Sequence, residues 1–471
     1  MSLIAQSLSR VKKFFHLFMI AVRGQEKEFT SGNINRAIFL LAVPMVLEMV
    51  MESLFAVVDI FFVSKLGINA VAAVGLTESI LALVYTGAMG LSMAATAIVA
   101  RRTGEKDPDA AAHAAMQSFY IALTFSALIS AAGWVFSKDI LRLMGASAEV
   151  INDGYIYTTI MLGGNFVIIL LFLINGIFRG VGDAAIAMRA LWIANILNIV
   201  LCPLLINGWG PIPALGLKGA ALATFIGRGI GVCYQVYLLI KGEGLVRIKT
   251  SHLRPDFSVI WRMLKIAAGG TVQILIASAS WIAIVRIIST FGKDAVAGYT
   301  IAIRVIIFTI LPAWGMANAA AALVGQNLGA GHPDRAEKSA WRAAIFNMFF
   351  LGIVSLLFFI AARPILQFFT NMEDVLSYGI SCLHLIGLGY IFYAYGMVLS
   401  QSFNGAGDTR TPLIINLFGF WVLQVPLAYA LGILLNWGPV GVFWGMAISE
   451  SATAILAIIL FKRGAWKKVK V

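Results

Sequence analysis

The chain has 471 residues, of which 60% are hydrophobic and only 12% are charged, and its mean hydropathy is +0.89. This composition excludes a soluble globular domain. The net charge of +13 would suit nucleic-acid binding if the basic residues formed one patch. They are instead confined to short segments between long apolar runs, so we predict no nucleic-acid partner.

The first segment, residues 1–32, mixes basic and apolar side chains. Its apolar core is too short to span a membrane, and no small-residue cleavage site follows, so a signal peptide is not predicted. The pattern is compatible with a helix lying in the cytoplasmic membrane interface and also with a disordered segment.

Twelve long apolar runs follow, each near the ~20 residues that a spanning helix needs. Because lipid cannot satisfy free backbone groups, and no alternating barrel pattern appears, these runs predict an all-α membrane protein. The expected spans are 37–63, 71–100, 114–136, 155–178, 186–207, 218–240, 262–290, 295–325, 343–362, 376–402, 412–435 and 439–461.

The loops differ in charge from one side of the membrane to the other. The two termini and the loops on their side hold 26 of the 35 Lys and Arg residues, whereas the opposite loops hold 6. This asymmetry predicts that both termini are cytoplasmic in a multi-pass protein of the plasma (inner) membrane. Three arginines fall inside spans: Arg228, Arg286 and Arg304.

The chain repeats itself with an offset of 225 residues. Between residues 67 and 112, 14 of 46 positions are identical to their partners, and Gly67, Gly90 and Gly104 return as glycines. Each copy holds six spans, and an even number restores the starting side, so the two lobes are expected to be parallel and pseudo-symmetric. The predicted divisions are 1–32, an N-lobe 33–240, a cytoplasmic linker 241–261, a C-lobe 262–461 and a basic cytoplasmic tail 462–471.

The first span carries three acids on one stripe. Glu48, Glu52 and Asp59 are spaced by four and seven residues, so they share a helix face over roughly 16 Å of depth. Acids in lipid are expensive, so these three should face the bundle interior as candidate ion-coupling residues. Pro44 lies one turn before Glu48 and is a candidate hinge.

The alternative for these acids is structural. Arg286 and Arg304, in spans seven and eight of the other lobe, are candidate partners that would make them ordinary ion pairs. The pattern alone leaves both interpretations open.

Other intramembrane polar residues are ambiguous in the same way. Asn175 and Asn198 can hydrogen-bond a carboxyl group or hold two helices together. For the remaining polar residues we expect interhelical pairing: Glu78, Gln273, His384 and Glu450.

A Gly-x-Gly-Asp motif ends span four and again ends span ten. The residues concerned are Arg179, Gly180, Gly182 and Asp183 in the first copy and Gly405, Gly407 and Asp408 in the second. We predict a structural role, in which the glycines permit a tight turn and each aspartate caps the helix that follows.

Together these features resemble the MATE family (multidrug and toxic compound extrusion). The shared elements are the Pro44-to-Asp59 segment, the two glycine-rich turns, Asn198-to-Pro203 and the segment 325–331. The resemblance implies two six-helix lobes that export amphipathic, often cationic compounds by antiport with H⁺ or Na⁺. It also implies a small-molecule substrate and no cofactor beyond the coupling ion, and we expect a monomer.

The resemblance is closer to the DinF-like branch, whose N-lobe cluster matches Asp59, Asn175 and Asn198. Where that branch usually carries a further Asp, this chain has Cys202, and where it often carries Gln, this chain has Glu52. The acids of the NorM-like branch would fall at Ala277 and Tyr393 and are missing. Ion coupling is therefore expected in the N-lobe, and Asp59 with Asn198 would also suit Na⁺.

Three functions are candidates for a chain of this kind. An ion-coupled exporter fits the acids; a flippase for a lipid-linked precursor should have more basic residues in its path, and a receptor should carry an appended soluble domain. An enzyme is not predicted, since there is neither a Walker-type loop nor a GxSxG elbow. In the C-lobe, Ala277 and Ile284 replace Glu52 and Asp59. A mostly apolar pocket is therefore expected there, around Ala277, Ile284, Ser400 and the segment near Gln424.

Overall fold

The computed structural model describes residues 3–26, 28–211, 213–242 and 246–470. An N-terminal helix, α1, covers Leu3–Arg23. The first lobe then contains α2 (Ile34–Val63), α3 (Ile68–Gly104), α4 (Pro108–Leu143), α5 (Ala148–Gly163), α6 (Phe166–Val181), α7 (Ala184–Asn207) and α8 (Leu217–Lys241). The second contains α9 (Phe257–Ile288), α10 (Lys293–Gly329), α11 (Pro333–Gln367), α12 (Glu373–Gly405), α13 (Arg410–Leu434) and α14 (Gly438–Lys462).

Twelve of these helical segments are long and apolar enough to cross a membrane, with α5 and α6 together forming the fourth. The predicted all-α fold with twelve spans is therefore confirmed. Two details were wrong. The seventh span begins at Phe257, inside the segment expected to be linker. The fourth span is broken at Gly164 and Asn165, where Asn165 turns its amide toward the Ser130 hydroxyl, 2.9 Å away.

The internal repeat is visible in the backbone. Gly67 and Gly292, 225 residues apart, follow matching short 3₁₀ turns and have φ/ψ values of 104°/173° and 105°/174°. Residues with a Cβ rarely adopt this positive φ, so glycine is required at both places. The same strained turn therefore connects the first two spans of each lobe.

The lobes meet in a reciprocal contact on the side that carries both termini. A Cβ on Gly104 would overlap the carbonyl of Gln326, and a Cβ on Gly329 would overlap the carbonyl of Arg101. Arg101 and Gln326 are equivalent in the repeat. Each helix therefore contributes one glycine and one backbone carbonyl to the contact, at equivalent positions. Only glycine lets α3 and α10 approach so closely.

A second pair of close contacts between the lobes also uses equivalent glycines, although the two carbonyls that they meet are not equivalent in the repeat. Gly90 of α3 packs against the Ala267 carbonyl of α9, and Gly315 of α10 packs against the Met45 carbonyl of α2. In each of these contacts, a glycine of one lobe therefore lies directly against a backbone carbonyl of the other lobe.

Of the two alternatives for the N-terminal segment, the structure contains the helix. Phe14 of α1 packs edge-on against Phe39 of α2, with ring centroids 5.6 Å apart, while Phe14 and Phe15 remain more than half exposed. Arg335 holds the following segment by donating to the carbonyl of Gly32 at 2.8 Å. Exposed rings beside a docked face suit a helix at the membrane interface, which stays a prediction.

The basic tail packs against the protein instead of extending from it. Trp466 is fully buried and stacks on Phe461 at 4.5 Å, and Arg101 donates to the Val469 carbonyl at 2.6 Å. Lys467 pairs with Glu337 at 2.6 Å. The tail therefore covers the end of α14 next to the contact between the lobes.

We expect Gly104→Ala to lower the midpoint of thermal unfolding in detergent, because the added methyl group overlaps a backbone carbonyl and overpacking costs about 1–3 kcal/mol. Gly75→Ala is the matched control, since it lies in the same helix and a Cβ there meets no atom within 4 Å. Equal midpoints for the two variants would show that the close approach of the lobes is not required.

Candidate transport site

Helix α2 directs its three acids into the first lobe. The residues Glu48 and Asp59 are 1% and 5% exposed, and the side chain of Glu52 is 23% exposed. Their spacing on one helical stripe turns all three away from lipid. Pro44 lies within α2, which is one continuous helix, and its missing N–H leaves the carbonyl of Leu40 without its usual helical partner.

Glu48 sits in a polar network between helices. Asn175 donates to its Oε1 at 2.9 Å, and Arg179 lies 3.6 Å from the same oxygen. Gln235 in turn donates to the Asn175 carbonyl oxygen at 2.5 Å, and Arg179 donates to the Ser92 hydroxyl at 3.0 Å. Thus α2, α3, α6 and α8 are joined through one buried carboxylate.

Glu52 pairs with Arg228 of α8. The Nη2 to Oε1 distance is 3.1 Å, and Arg228 is only 1% exposed. Its guanidinium also lies over the rings of Phe55 and Tyr85, with 4.7 Å and 5.8 Å to the ring centroids. Aromatic faces and one carboxylate therefore stabilise a charge that would otherwise be very costly here.

Asp59 is the least satisfied of the three acids. Its Oδ1 is buried and has no hydrogen-bond donor among the described residues. The charged side chains close enough to act on it are Glu78 and Arg228. Asp59 therefore shares the influence of Arg228 with Glu52 but makes no direct contact with it.

Asn198 takes part in a different contact. It donates to the Thr224 hydroxyl at 3.0 Å, and its own carbonyl oxygen has no donor among the described residues. Asn175 is bound to Glu48 rather than to Asp59. Among the described residues, Asn175 therefore hydrogen-bonds Glu48 and Glu52 pairs with Arg228, while Asp59 and Asn198 make no hydrogen bond to each other.

The acids do not pair with Arg286 and Arg304, the two candidate partners named from the sequence. Arg286 and Arg304 are both exposed side chains of the second lobe, whereas the partners are Arg179 and Arg228 of the same lobe. From the sequence, Arg179 was predicted to belong to a structural turn, and no partner was predicted for Arg228. Arg228 could have indicated this pair from the sequence alone, because a charged residue within an apolar span usually has a partner of opposite charge or a function.

The second lobe replaces the first network with uncharged groups. Gln273 and Asn404 occupy the positions equivalent to Glu48 and Arg179, and they exchange two amide hydrogen bonds of 3.1 and 3.2 Å. Gln273 also donates to the Thr409 carbonyl at 2.8 Å. The expected interhelical pairing of Gln273 is therefore present, and an ion pair in one lobe corresponds to an amide pair in the other.

The two glycine-rich turns share one backbone conformation. Gly182 and Gly407 have φ values of 90° and 88°, a region that favours glycine. Gly180 and Gly405 pack against the carbonyls of Thr96 and Ala321, which are equivalent in the repeat. The first glycine of each motif therefore serves helix packing, and the second serves the turn.

The aspartates of the two motifs differ. Asp408 accepts a hydrogen bond from the Thr411 backbone N–H at 3.1 Å and another from its hydroxyl at 2.6 Å, within the first turn of α13. Asp183 occupies the N-cap position of α7, but its side chain accepts no hydrogen bond from the first-turn amides. The expectation that both aspartates cap their helices was wrong for Asp183.

Two of the remaining polar residues do not pair as expected. Within the described part of the chain, neither Glu78 nor Glu450 makes a hydrogen bond or an ion pair. His384 stacks on the ring of Phe359 at 4.9 Å. The expected interhelical pairing was therefore wrong for Glu78 and Glu450.

A cavity of about 210 Å³ lies inside the second lobe. Its walls include Ala277, Ile284 and Gln424, as expected, together with Tyr393 and Glu450. Ser400, expected nearby, is not among the lining residues. A smaller cavity of about 100 Å³ lies between the lobes, and its lining includes the equivalent residues Arg179 and Asn404.

Twelve spanning helices in two parallel repeats, with acids and cavities in the interior of the bundle, define a membrane transporter. The MatE family model matches residues 44–204 and again 271–430, once in each lobe. The chain belongs to the MATE family.

Similarity to known members extends over almost the whole chain. The "Probable multidrug resistance protein NorM" of Thermotoga maritima is 25% identical over 436 residues, covering 92% of this chain and 94% of that protein. The "FAD transporter" of Shewanella oneidensis is also 25% identical, over 439 residues, covering 92% and 95%. A solved structure described as the outward-facing conformation of a multidrug resistance MATE family transporter superimposes with a TM-score of 0.87 at 27% identity, covering 94% and 99%.

We expect strong coupling between Glu52 and Arg228 in a double-mutant cycle. Removing one partner of a buried pair costs about 3–5 kcal/mol, because the other charge stays buried. Arg228→Leu and Glu52→Gln should therefore each lower the unfolding midpoint, and the double variant should recover much of the loss. The exposed pair Arg363 and Glu373, 2.9 Å apart, is the control and should show coupling of only about 0–1 kcal/mol. Additive effects at Glu52 and Arg228 would contradict the pairing.

Asp408→Ala should lower stability by about 1 kcal/mol, as expected for the loss of a helix cap. Thr411→Val keeps the backbone N–H but removes the hydroxyl, so it should lower the unfolding midpoint less. We expect neither variant to change ion selectivity in a transport assay. A selectivity change at an unaltered melting midpoint would instead place Asp408 in the transport path.

Proposed function

We propose that this chain is an ion-coupled antiporter that exports amphipathic organic cations across the plasma (inner) membrane, with both termini in the cytoplasm. The observation that carries the proposal is a set of buried carboxylate oxygens in the first lobe, Glu48 Oε2, Glu52 Oε2 and Asp59 Oδ1, none of which has a donor among the described residues. Oxygens of this kind inside a membrane protein need a proton or a cation.

Asp59 is the residue that we assign to ion coupling. It is buried, has no hydrogen-bond partner for Oδ1 and lies on the same stripe as a paired acid. Such a carboxyl group is neutral when it holds a proton or Na⁺ and charged when it releases the ion. Ion exchange at Asp59 therefore changes the net charge of the lobe interior.

Arg228 supplies a way to convert that change into movement. It is paired with Glu52 and also acts electrostatically on Asp59, and its Nε and Nη1 have no partner among the described residues. When Asp59 becomes charged, it competes with Glu52 for Arg228. Because Asp59 and Glu52 lie on α2 and Arg228 on α8, this competition shifts one helix against the other, with Pro44 as the proposed flexible point.

The same oxygens are compatible with both ions. Asp59 Oδ1 and Asn198 Oδ1 are carboxylate and amide oxygens, the ligands that hard cations prefer. Among the described residues there is no cluster of three or more His, Cys, Asp or Glu side chains for a tightly held metal. Na⁺ would therefore rely on amide and backbone oxygens beside one carboxylate, whereas H⁺ needs only the carboxylate.

We further infer that coupling in the N-lobe places the chain nearer to the DinF-like branch, and that the monomer is the working unit, since each chain holds both lobes. The alternative is a flippase for a lipid-linked precursor, which needs basic groups to hold an anionic head group. Arg179 and Arg228 already face carboxylates, and no basic side chain lines the cavity of the second lobe. The name of the Shewanella relative, an FAD transporter, is nonetheless a reason to test an anionic cargo in parallel.

The test is efflux from proteoliposomes under separately imposed H⁺ and Na⁺ gradients. We expect wild-type protein to move a fluorescent cation under one gradient and not the other. Asp59→Asn should abolish gradient-driven efflux and leave the unfolding midpoint nearly unchanged, because the amide has the same shape and no charge. Asp139→Asn, an exposed residue paired with Arg142, is the matched control and should transport normally. Full transport by Asp59→Asn at normal reconstitution would overturn the proposal.

A further inference from the structure

The cavity of the second lobe combines aromatic walls with one acid. The lining residues that the structure describes include Trp281, Tyr299, Tyr390, Tyr393 and Phe420, and among them Glu450 alone is charged. Aromatic faces attract cations, and a carboxylate at the same place adds a full negative charge. The cavity thus has the chemistry of an organic-cation site.

The repeat shows why this acid lacks a partner. Gly219 of α8 packs against the Leu205 carbonyl, and Gly441 of α14 packs against the Leu431 carbonyl. These matching contacts make the two glycines equivalent, with the offset of the repeat changed from 225 to 222 residues in the last helix of each lobe. Nine residues further along each helix stand Arg228 and Glu450. The two lobes therefore carry opposite charges at one equivalent position.

In the first lobe the charge is neutralised from within the protein. Arg228 has Glu52 at 3.1 Å, whereas the residue equivalent to Glu52 in the second lobe is Ala277, whose methyl group lines the cavity. No Lys or Arg side chain lines the cavity, and Glu450 has no ion pair or hydrogen bond among the described residues. The counter-charge that the first lobe supplies by itself is absent from the second.

A second unsatisfied group faces the same space. Gln424 is 5% exposed, lines the cavity, and its Oε1 has no donor among the described residues. A carbonyl oxygen of this kind accepts a hydrogen bond from an ammonium N–H or lies against the positive end of a ligand. The Glu450 carboxylate and the Gln424 carbonyl oxygen therefore favour a positively charged occupant.

We propose that Glu450 is the charge-recognising residue of a substrate subsite in the second lobe, which binds the cationic group of an aromatic ammonium or phosphonium compound. This subsite rests on the proposed export of organic cations and names the residue that selects their charge. The tyrosines and Trp281 hold the apolar body of the compound, and Gln424 supports its positive end. Ion coupling stays in the first lobe, so cargo and coupling ion bind at separate places.

The experiment measures equilibrium binding of radiolabelled tetraphenylphosphonium to purified full-length protein in detergent, with no ion gradient. Tetraphenylborate, of nearly the same shape and opposite charge, is the matched anion. We expect wild-type protein to prefer the cation. Glu450→Gln should weaken cation binding by more than about tenfold, as for the loss of one partner of a desolvated charge pair, and should leave borate binding equal or stronger.

Two variants separate charge from packing. Glu450→Asp keeps the charge and should retain most of the cation preference, while Ala277→Leu fills the cavity and should weaken both ions. The surface substitution Glu373→Gln, in an exposed ion pair, should bind both ions as the wild type does. If Glu450→Gln does not fold, Glu450→Asp and Ala277→Leu still decide, because unchanged binding in Ala277→Leu removes the cavity as the site.

The outcomes also distinguish this subsite from the coupling mechanism. Cation binding by Glu450→Gln equal to that of the wild type would overturn the subsite, even if Asp59→Asn still abolished efflux. Weaker binding in Glu450→Gln together with full efflux by Asp59→Asn would leave the subsite in place and remove the coupling role of Asp59. Equal loss of both ions in Glu450→Gln would show that Glu450 shapes the cavity without selecting charge.

Discussion

A fully buried guanidinium in the middle of a membrane protein must be neutralised, and in this chain the neutralisation of Arg228 determines the arrangement around it. Glu52 provides the counter-charge, Phe55 and Tyr85 provide aromatic faces, and Asp59 lies within electrostatic reach. Two acids and one base cannot all be satisfied at once. In the mechanism proposed for Asp59, a coupling ion supplies and withdraws the further positive charge.

The two lobes show how one backbone supports two chemistries. The close helix contacts and the glycine turns repeat with matching geometry, because they depend on backbone shape, whereas the polar residues inside do not repeat. At the positions of Glu48 and Arg179 the second lobe has an amide pair, and at the position of Arg228 it has Glu450. The helix packing is therefore common to both lobes, whereas the polar residues in their interiors differ.

Much of the fold could be predicted because hydropathy and length determine spanning helices in lipid almost alone. The stripe of Glu48, Glu52 and Asp59 was equally readable, since helical spacing places them on one face. The residues that pair with these acids could not be predicted from the sequence. Whether Arg228 points toward α2 depends on how α8 is rotated in the bundle, and a sequence of apolar residues on all sides does not specify that rotation.

Other errors have related causes. Arg179 was assigned to a turn because its motif ends a span, yet a long side chain reaches back into the lobe to Glu48. At the break in the fourth span, Gly164 lies against the ring of Phe225, and the Gly163-Gly164-Asn165 sequence is a local turn signal that the hydropathy of the span outweighed. Sequence patterns therefore predict the helices. Which polar side chains pair with each other depends on tertiary contacts.

The reciprocal contact of Gly104 and Gly329 has a consequence for how such a chain could arise. Each glycine lies on the carbonyl that is equivalent to the one offered by its own helix. A contact of this kind is isologous, the type that closes a two-fold dimer. Two separate copies of one lobe would present the same surfaces to each other, so a linker needed only to hold them at high effective concentration. Within one chain the interiors of the two lobes can then differ in charge while this contact stays the same.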